Sequence, residues 1–265
     1  MFHRIEKDGV VFYRSDILTA PHGFSTIIGG ASTLPETQSM NFGSGVSDPM
    51  VSTNIDIFTR AASSPPKTVR VKQIHSTEIY SFTKETDLDN ITPDGFYVKE
   101  GDGFFSYLGN LTLTVRTADC LPILLSSKDG KTVAAIHAGW RGSVNGIASK
   151  AVKKFISAGV KPEDVQAALG PCISECCFKV GEDFLVQFKE SISGKYADEV
   201  ISKRNGNYYC DLKKLNRLIL ESAGVLAENI DICPLCTHHT EGIFFSHRKT
   251  GFARGTMGSC ISPVL

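Results

Sequence analysis

Leu111-Thr-Leu-Thr-Val115, Leu121-Pro-Ile-Leu-Leu125 and Thr132-Val-Ala-Ala-Ile136 are three short aliphatic and β-branched runs, separated by Asp119-Cys120 and by the turn-forming Lys128-Asp-Gly-Lys131. Runs of this length between turn residues read as adjacent strands of one sheet. Upstream, Val69-Arg-Val-Lys-Gln-Ile-His75 alternates apolar and polar side chains, the period of a half-buried strand, and puts His75 at a strand end. Downstream the period changes. Val144, Ile147, Ala151, Phe155 and Ile156 recur at helical spacing, with Ser143 as the cap and Gly159 as the stop. Asp211 opens a second helix through Leu215, Leu218, Ile219 and Ser222 to Gly224, and Val180 to Phe188 is a shorter third. With no repeat, low-complexity tract or linker, the order predicts a mixed α/β (α+β) fold as a single domain over residues 1–265.

Charge and composition exclude several functions. The 28 basic and 28 acidic side chains cancel without a like-charge block, so a dedicated nucleic-acid surface is not expected. Charge is scattered through Met1–Gly9 where a leader would be apolar, and no stretch is long and apolar enough to span a membrane. A soluble, cytoplasmic protein is expected, as a monomer or small homo-oligomer. Eight cysteines in 265 residues is about 3%, too few for a secreted disulfide scaffold. Each is therefore read as a free thiol, a ligand or a nucleophile.

The chemistry-bearing residues gather at the strand ends: His75, then Cys120, then His137 opening His137-Ala-Gly-Trp-Arg-Gly142. Two imidazoles and one thiolate suit zinc, and three protein ligands with a fourth position open describe a catalytic site rather than a structural one. The separations fit no short zinc-finger pattern, so on spacing alone packed or exposed bystanders are the commoner explanation.

The motifs carry the reading further. Ser39-Met-Asn-Phe-Gly43, Val71-Lys-Gln-Ile-His75, Thr117-Ala-Asp-Cys-Leu-Pro122, His137-Ala-Gly-Trp-Arg-Gly142, Ala168-Leu-Gly-Pro171, Tyr209 with Asp211-Leu212, Cys236-Thr237 and Phe244-Phe-Ser-His-Arg248 run from about residue 20 to the C-terminus. In that order they resemble the laccase-domain family, whose members are described as purine nucleoside phosphorylases and, earlier, as polyphenol oxidases. The resemblance implies a layered α/β/β/α arrangement of mixed sheets, related to the cysteine-hydrolase-like fold, and assigns His75, Cys120 and His137 to the metal. It also implies phosphorolysis of adenosine, inosine, guanosine and methylthioadenosine to free base and ribose 1-phosphate, and deamination of adenosine to inosine.

Within that frame Asp102 and Asp119 are the carboxylates placed to move a proton or to orient a ligand, although each also suits a turn. Phosphate needs cations, and Arg141, His247, Arg248 and Arg254 are the candidates, with the amides of Gly142 and Ser143 at the start of the following helix. Asn41 and Gly43 sit in a loop of small residues that could approach a ligand, and Trp140 is read as a packing residue. Cys233-Pro-Leu-Cys236, with His238 and His239 after it, looks like half a zinc site but lacks a second pair at finger-like spacing. It is read as structural or incidental, and Cys172, Cys176 and Cys177 as buried small thiols. Asn41-Phe-Gly43, Ser47-Asp48 and Ser246-His-Arg248 depart from the usual family wording and bear on substrate preference. Three competing readings stand beside the zinc enzyme. They are a metal-free hydrolase with Cys120 as nucleophile and His137 as base, an editing hydrolase of peptidoglycan precursors, and a copper-dependent phenol oxidase. The last would need more histidines than this trio offers.

Overall fold

The three apolar runs fold as strands, yet they divide between two sheets. A computed structural model describes residues 1–43 and 46–264, so Ser44, Gly45 and Leu265 of the expected 1–265 unit lie outside the described residues. One sheet has seven strands, in the order β1 (Phe2–Lys7), β2 (Val10–Ser15), β3 (His22–Ser25), β16 (Met257–Ile261), β8 (Thr112–Thr117), β4 (Thr68–Lys72) and β6 (Phe96–Glu100). A second has six, in the order β15 (Ile230–Ile232), β11 (Val165–Leu169), β9 (Leu121–Ser127), β10 (Val133–Ala138), β7 (Gly103–Ser106) and β5 (Ile79–Phe82). β9 and β10 are antiparallel neighbours as expected, whereas β8 belongs to the other sheet, between β16 and β4. The cause is local. Asp119 sits at φ +90° between β8 and β9, a left-handed conformation that redirects the chain from one sheet to the other.

The two sheets face each other across an apolar layer that includes Phe24, Val69, Leu113 and Val115 from one side and Phe104, Leu124, Val133 and Ala135 from the other. Alternation along β10 sends Ala134, Ile136 and Ala138 the opposite way, with Ile123 and Leu125 of β9, onto the helices. Those helices are α2 (Trp140–Val144), α3 (Ile147–Ser157), α4 (Glu182–Glu190), α5 (Ala197–Val200) and α6 (Leu212–Ser222). On the far side, Ile55 and Phe58 of α1 (Val51–Ala61) pack on Val10 and Phe12 of the seven-stranded sheet. The result is the α/β/β/α layering that the resemblance implies. Each fully buried Phe or Leu in these layers contributes roughly 1.5–3 kcal/mol through apolar area removed from water.

A small sheet of β12 (Lys179–Val180), β14 (Asn207–Cys210) and β13 (Ile201–Arg204) and a short α7 (His247–Thr250) complete the elements. α6 begins as expected, with Asp211 accepting from the Lys214 amide, and Gly224 follows it at φ +96°. The helix expected to start at Ser143 is instead two helices, because Gly146 at φ +77° breaks the run between α2 and α3. Ser143 thus lies inside α2, and its amide donates to the Gly139 carbonyl at 2.8 Å, which removes it from the expected anion cradle. The stretch from Val180 also splits, into the end of β12 and α4 with Gly181 as the N-cap. Among the described residues no helix is long and apolar enough to cross a membrane.

Candidate metal centre

β4 stops at Lys72, three residues short of the expected strand end at His75. The Gln73 side chain takes over the pairing: its Nε2 donates to the Arg116 carbonyl at 2.7 Å, and its Oε1 accepts the Arg116 amide at 2.8 Å. That releases the next three residues to wrap a carboxylate. Asp102 accepts the amides of Ile74, His75 and Ser76 at 3.4, 3.0 and 2.5 Å, and the Ser76 hydroxyl at 2.7 Å. His75 itself sits at φ +61° with its ring exposed, a conformation uncommon for a residue with a Cβ and found most often at functional sites.

Asp102 also fixes the second imidazole. Fully buried just before β7, it takes Nδ1–H of His137 on Oδ1 at 2.8 Å, while its carbonyl accepts the His137 amide at 2.7 Å. A proton held on Nδ1 leaves the Nε2 lone pair as the ring's donor atom, the usual arrangement for a metal-binding histidine. Burial alone would raise the pKa of Asp102, but the hydrogen bonds from His137 and Ser76 outweigh it and hold the carboxyl below its ordinary value.

Cys120 completes the group from the crossover between the sheets. Its Sγ lies 3.8 Å from Nε2 of His75, and one ligand atom from each of His75, Cys120 and His137 falls within 4.8 Å of the others. Burial disfavours the thiolate, yet His137 and His75 outweigh it and lower the Cys120 pKa. His137 shifts the other way: burial opposes its charge, and Cys120 and Asp102 overcome that and raise its pKa. Gly139 makes the close approach possible. A Cβ there would come within 2.8 Å of His75 Cδ2 and 3.4 Å of both Cys120 Sγ and His137 Cε1. Two imidazoles, a polarised thiol and a carboxylate behind one ring fit a metal ion of the zinc or copper class.

The remaining expected residues take varied places. Asp119 uses both oxygens on a distant segment, accepting the Thr237 hydroxyl at 2.6 Å on Oδ1, and the Ser246 hydroxyl at 3.0 Å and the Arg248 amide at 2.6 Å on Oδ2. It therefore pins residues 237–248 beside the trio. The Arg248 guanidinium is turned to backbone, donating to the Lys179 carbonyl at 3.1 Å and the Cys177 carbonyl at 3.5 Å. Arg254 is half-buried and within electrostatic reach of Asp119 and Cys120; burial lowers its pKa against the pull of those two groups. His247 is exposed against Phe252, with Nδ1 3.1 Å from the Gly251 carbonyl. Arg141 is exposed and stacks 4.2 Å over the Trp140 ring, which itself packs on Phe184. Asn41 is buried and engaged at both ends of its amide, Nδ2 on Asp48 and Oδ1 on the amides of Gly43 and Thr256. Gly43, at φ +93°, accepts the Thr256 hydroxyl at 2.6 Å.

Sequence reading missed Ser76, Gly139, Thr237 and Ser246, although the last three stand inside the quoted motifs. The expectation that Cys176 and Cys177 are buried needs correction. Cys176 is exposed and Cys177 half-buried, unlike the buried Cys172, while Cys233 and Cys236 are both buried and free. A cleft of about 480 Å³ between α1 and β4, bordered by Asp56, Thr68 and Arg70, lies apart from all of these residues.

A layered α+β protein with a His₂Cys centre at the junction of its two sheets is the class that fold and site define. The sequence profile described as multi-copper polyphenol oxidoreductase laccase matches residues 21–263, and the chain belongs to that family. A relative named purine nucleoside phosphorylase, from Deinococcus radiodurans, is 29% identical over 255 residues, covering 96% of this chain and 93% of its own. A protein named adenosine deaminase RL5, from an unknown prokaryotic organism, is 32% identical over 187 residues, 71% of each chain. Among solved structures, the hypothetical protein YfiH of Bacillus licheniformis superposes with a TM-score of 0.87 at 28% identity over 99% of both chains.

Proposed function

We propose that this protein is a zinc-dependent purine nucleoside enzyme. It phosphorolyses adenosine, inosine, guanosine and methylthioadenosine to the free base and ribose 1-phosphate, and it deaminates adenosine to inosine. The observation that carries the reading is the buried Asp102–His137 bond beside His75 and Cys120, in a chain whose relatives bear both enzyme names. Its partners are small molecules, purine nucleosides and phosphate, and its place is the cytoplasm.

Bound zinc would be held by His75, Cys120 and His137 and would supply Lewis acidity. The protein's own groups do the rest. Asp102 acts as a positioning residue, because every donor around its carboxylate fixes either His137 or the backbone that carries His75. Asp119 holds the 237–248 wall in place. Arg254, which senses Cys120 and Asp119, and Arg141, stacked on Trp140, are the cations for the phosphate dianion and for charge developing at the leaving base.

Incubating the zinc-loaded protein with adenosine, with and without phosphate, and separating products by chromatography tests this, with His75→Ala as the blank. Adenine with ribose 1-phosphate only when phosphate is present, together with inosine in both conditions, is the expected result. No product above the blank would overturn it.

One observation favours a second reading. Asp102, His137 and Cys120 form a carboxylate–imidazole–thiol row in which the thiol pKa is lowered and the imidazole pKa raised, the polarity of a cysteine nucleophile with its base. Such a hydrolase would keep Cys120 rapidly alkylated by iodoacetamide in the presence of zinc. The metalloenzyme is protected by the ion and alkylated only after chelation.

A further inference from the structure

Cys176, Cys177, Cys236 and His239 form a second cluster that the nucleoside chemistry does not use. One ligand atom from each lies within 4.8 Å of all the others. Nδ1 of His239 is 3.4 Å from Cys176 Sγ and 3.5 Å from Cys177 Sγ, and the two sulfurs are 3.3 Å apart. Disulfide sulfurs stand about 2.05 Å apart, so Cys176 and Cys177 at 3.3 Å are placed as two separate thiols. Ligands about 2.1–2.3 Å from one tetrahedral ion stand roughly 3.5–3.8 Å from each other, close to the spacings among Cys176, Cys177 and His239.

The surroundings are built to hold that arrangement. The Ser174 amide donates to Cys236 Sγ at 3.3 Å, and the amides of His238 and His239 face the same sulfur. Lys213, nearly buried, donates to the carbonyls of Cys233 at 2.6 Å and Leu235 at 2.8 Å and to the Ser174 hydroxyl at 3.2 Å, tying together the two turns that carry the cysteines. Three thiolates and one imidazole around a divalent ion carry a net charge of −1, and Arg204 and Arg248 stand beside the group on the carbonyls of Glu175 and Cys177.

The geometry points to a second metal site, a closed Cys₃His site for zinc or a similarly soft divalent ion, formed by Cys176, Cys177, Cys236 and His239. With all four positions filled by protein it has no place for substrate, so its role is structural. It joins the 172–178 turn to the 236–239 turn. The next residue after Cys236 is Thr237, whose hydroxyl holds Asp119 beside the catalytic trio. The second ion therefore sets the footing of the wall that faces the first.

The test counts zinc per chain by mass spectrometry on protein desalted from zinc-containing buffer. The chains compared are wild type, His75→Ala and the double variant Cys176→Ala/His239→Ala, whose altered side chains are exposed and leave the core intact. Circular dichroism checks each fold. Two equivalents in wild type and one in each variant are expected. In the cobalt-loaded proteins the thiolate-to-metal absorption of the double variant should fall to roughly a quarter of wild type, since Cys120 is then the one thiolate on a metal. A single wild-type equivalent that survives in the double variant and disappears in His75→Ala would overturn the proposal. So would an intact mass two hydrogens light, showing a disulfide among the three thiols in place of the ion. One wild-type equivalent that His75→Ala keeps and the double variant loses would uphold this second site and overturn the zinc reading of the first.

Discussion

Oδ1 of Asp102 accepts both Nδ1–H of His137 and the backbone amide of His75, at 2.8 and 3.0 Å, so one carboxylate oxygen sets the positions of two candidate metal ligands, one beyond the end of β4 and one on β10. Asp102→Asn with its oxygen in the Oδ1 place keeps the acceptor for both, but it turns an amide NH₂ toward the Ser76 amide and hydroxyl, which drives the side chain out of register. Zinc affinity should fall about 10–100-fold, the typical cost of losing such a partner. Competition with a chromogenic chelator measures it, and an unchanged affinity would remove Asp102 from its positioning role.

Gly139→Ala should act through space alone. Its backbone is at ordinary φ (−61°), but the new methyl would sit 2.8 Å from the His75 ring. The ring must move, so zinc stoichiometry and nucleoside turnover should drop together while the far-ultraviolet circular dichroism stays unchanged. Full metal loading in this variant would show that His75 does not need its present position.

Each of His75→Ala, Cys120→Ala and His137→Ala should lose the catalytic zinc and adenosine deamination together. Stoichiometric zinc and normal rate in any one would remove that residue from the ligand set. Arg141→Ala and Arg254→Ala should instead raise the phosphate concentration for half-maximal phosphorolysis, about tenfold if one charged hydrogen bond worth about 1.5 kcal/mol is lost. Steady-state phosphate titrations decide which arginine holds the anion.

His22 gives the fold a dependence on pH that is separate from the site. Its ring is buried, with Nδ1 on the Ala20 carbonyl at 2.8 Å and Nε2 accepting the Ser15 amide at 3.0 Å, so it fits only as the neutral form. Burial lowers its pKa from 6.5 to about 4. The unfolded chain thus binds more protons between these values. The contribution of His22 is complete above pH 6.5 and is lost as pH falls toward 4, reaching about 2 kcal/mol at pH 5. Urea unfolding at pH 7.5 and pH 5 measures the difference, and His22→Gln should flatten it.

How much of this could be read from the sequence varied with the range of the cause. β9, β10 and α6 follow from side-chain period, capping and turn residues, all local signals. The sheet to which β8 belongs does not, because it depends on the backbone angle of Asp119, and although aspartate tolerates left-handed geometry, the sequence does not mark which aspartate adopts it. His75 left its strand through the Gln73 side chain, whose partner Arg116 lies 43 residues away. The trio and its motifs were legible through their resemblance to a family. The Cys₃His cluster was hidden because its two halves are about 60 residues apart and the conspicuous Cys233–Cys236 spacing draws attention to the wrong pair.

The chain switch at Asp119 has one more effect. His75 follows a strand of the seven-stranded sheet, His137 is the penultimate residue of a strand of the six-stranded sheet, and Cys120 lies on the β8–β9 span that joins the two sheets. An ion shared by the three rivets one leaf of the sandwich to the other at its rim. Occupancy then enters the folding equilibrium by mass action, worth about 2.7 kcal/mol when the ion stands at a hundred times its dissociation constant. The melting temperature of this sandwich becomes a gauge of how much metal its surroundings offer.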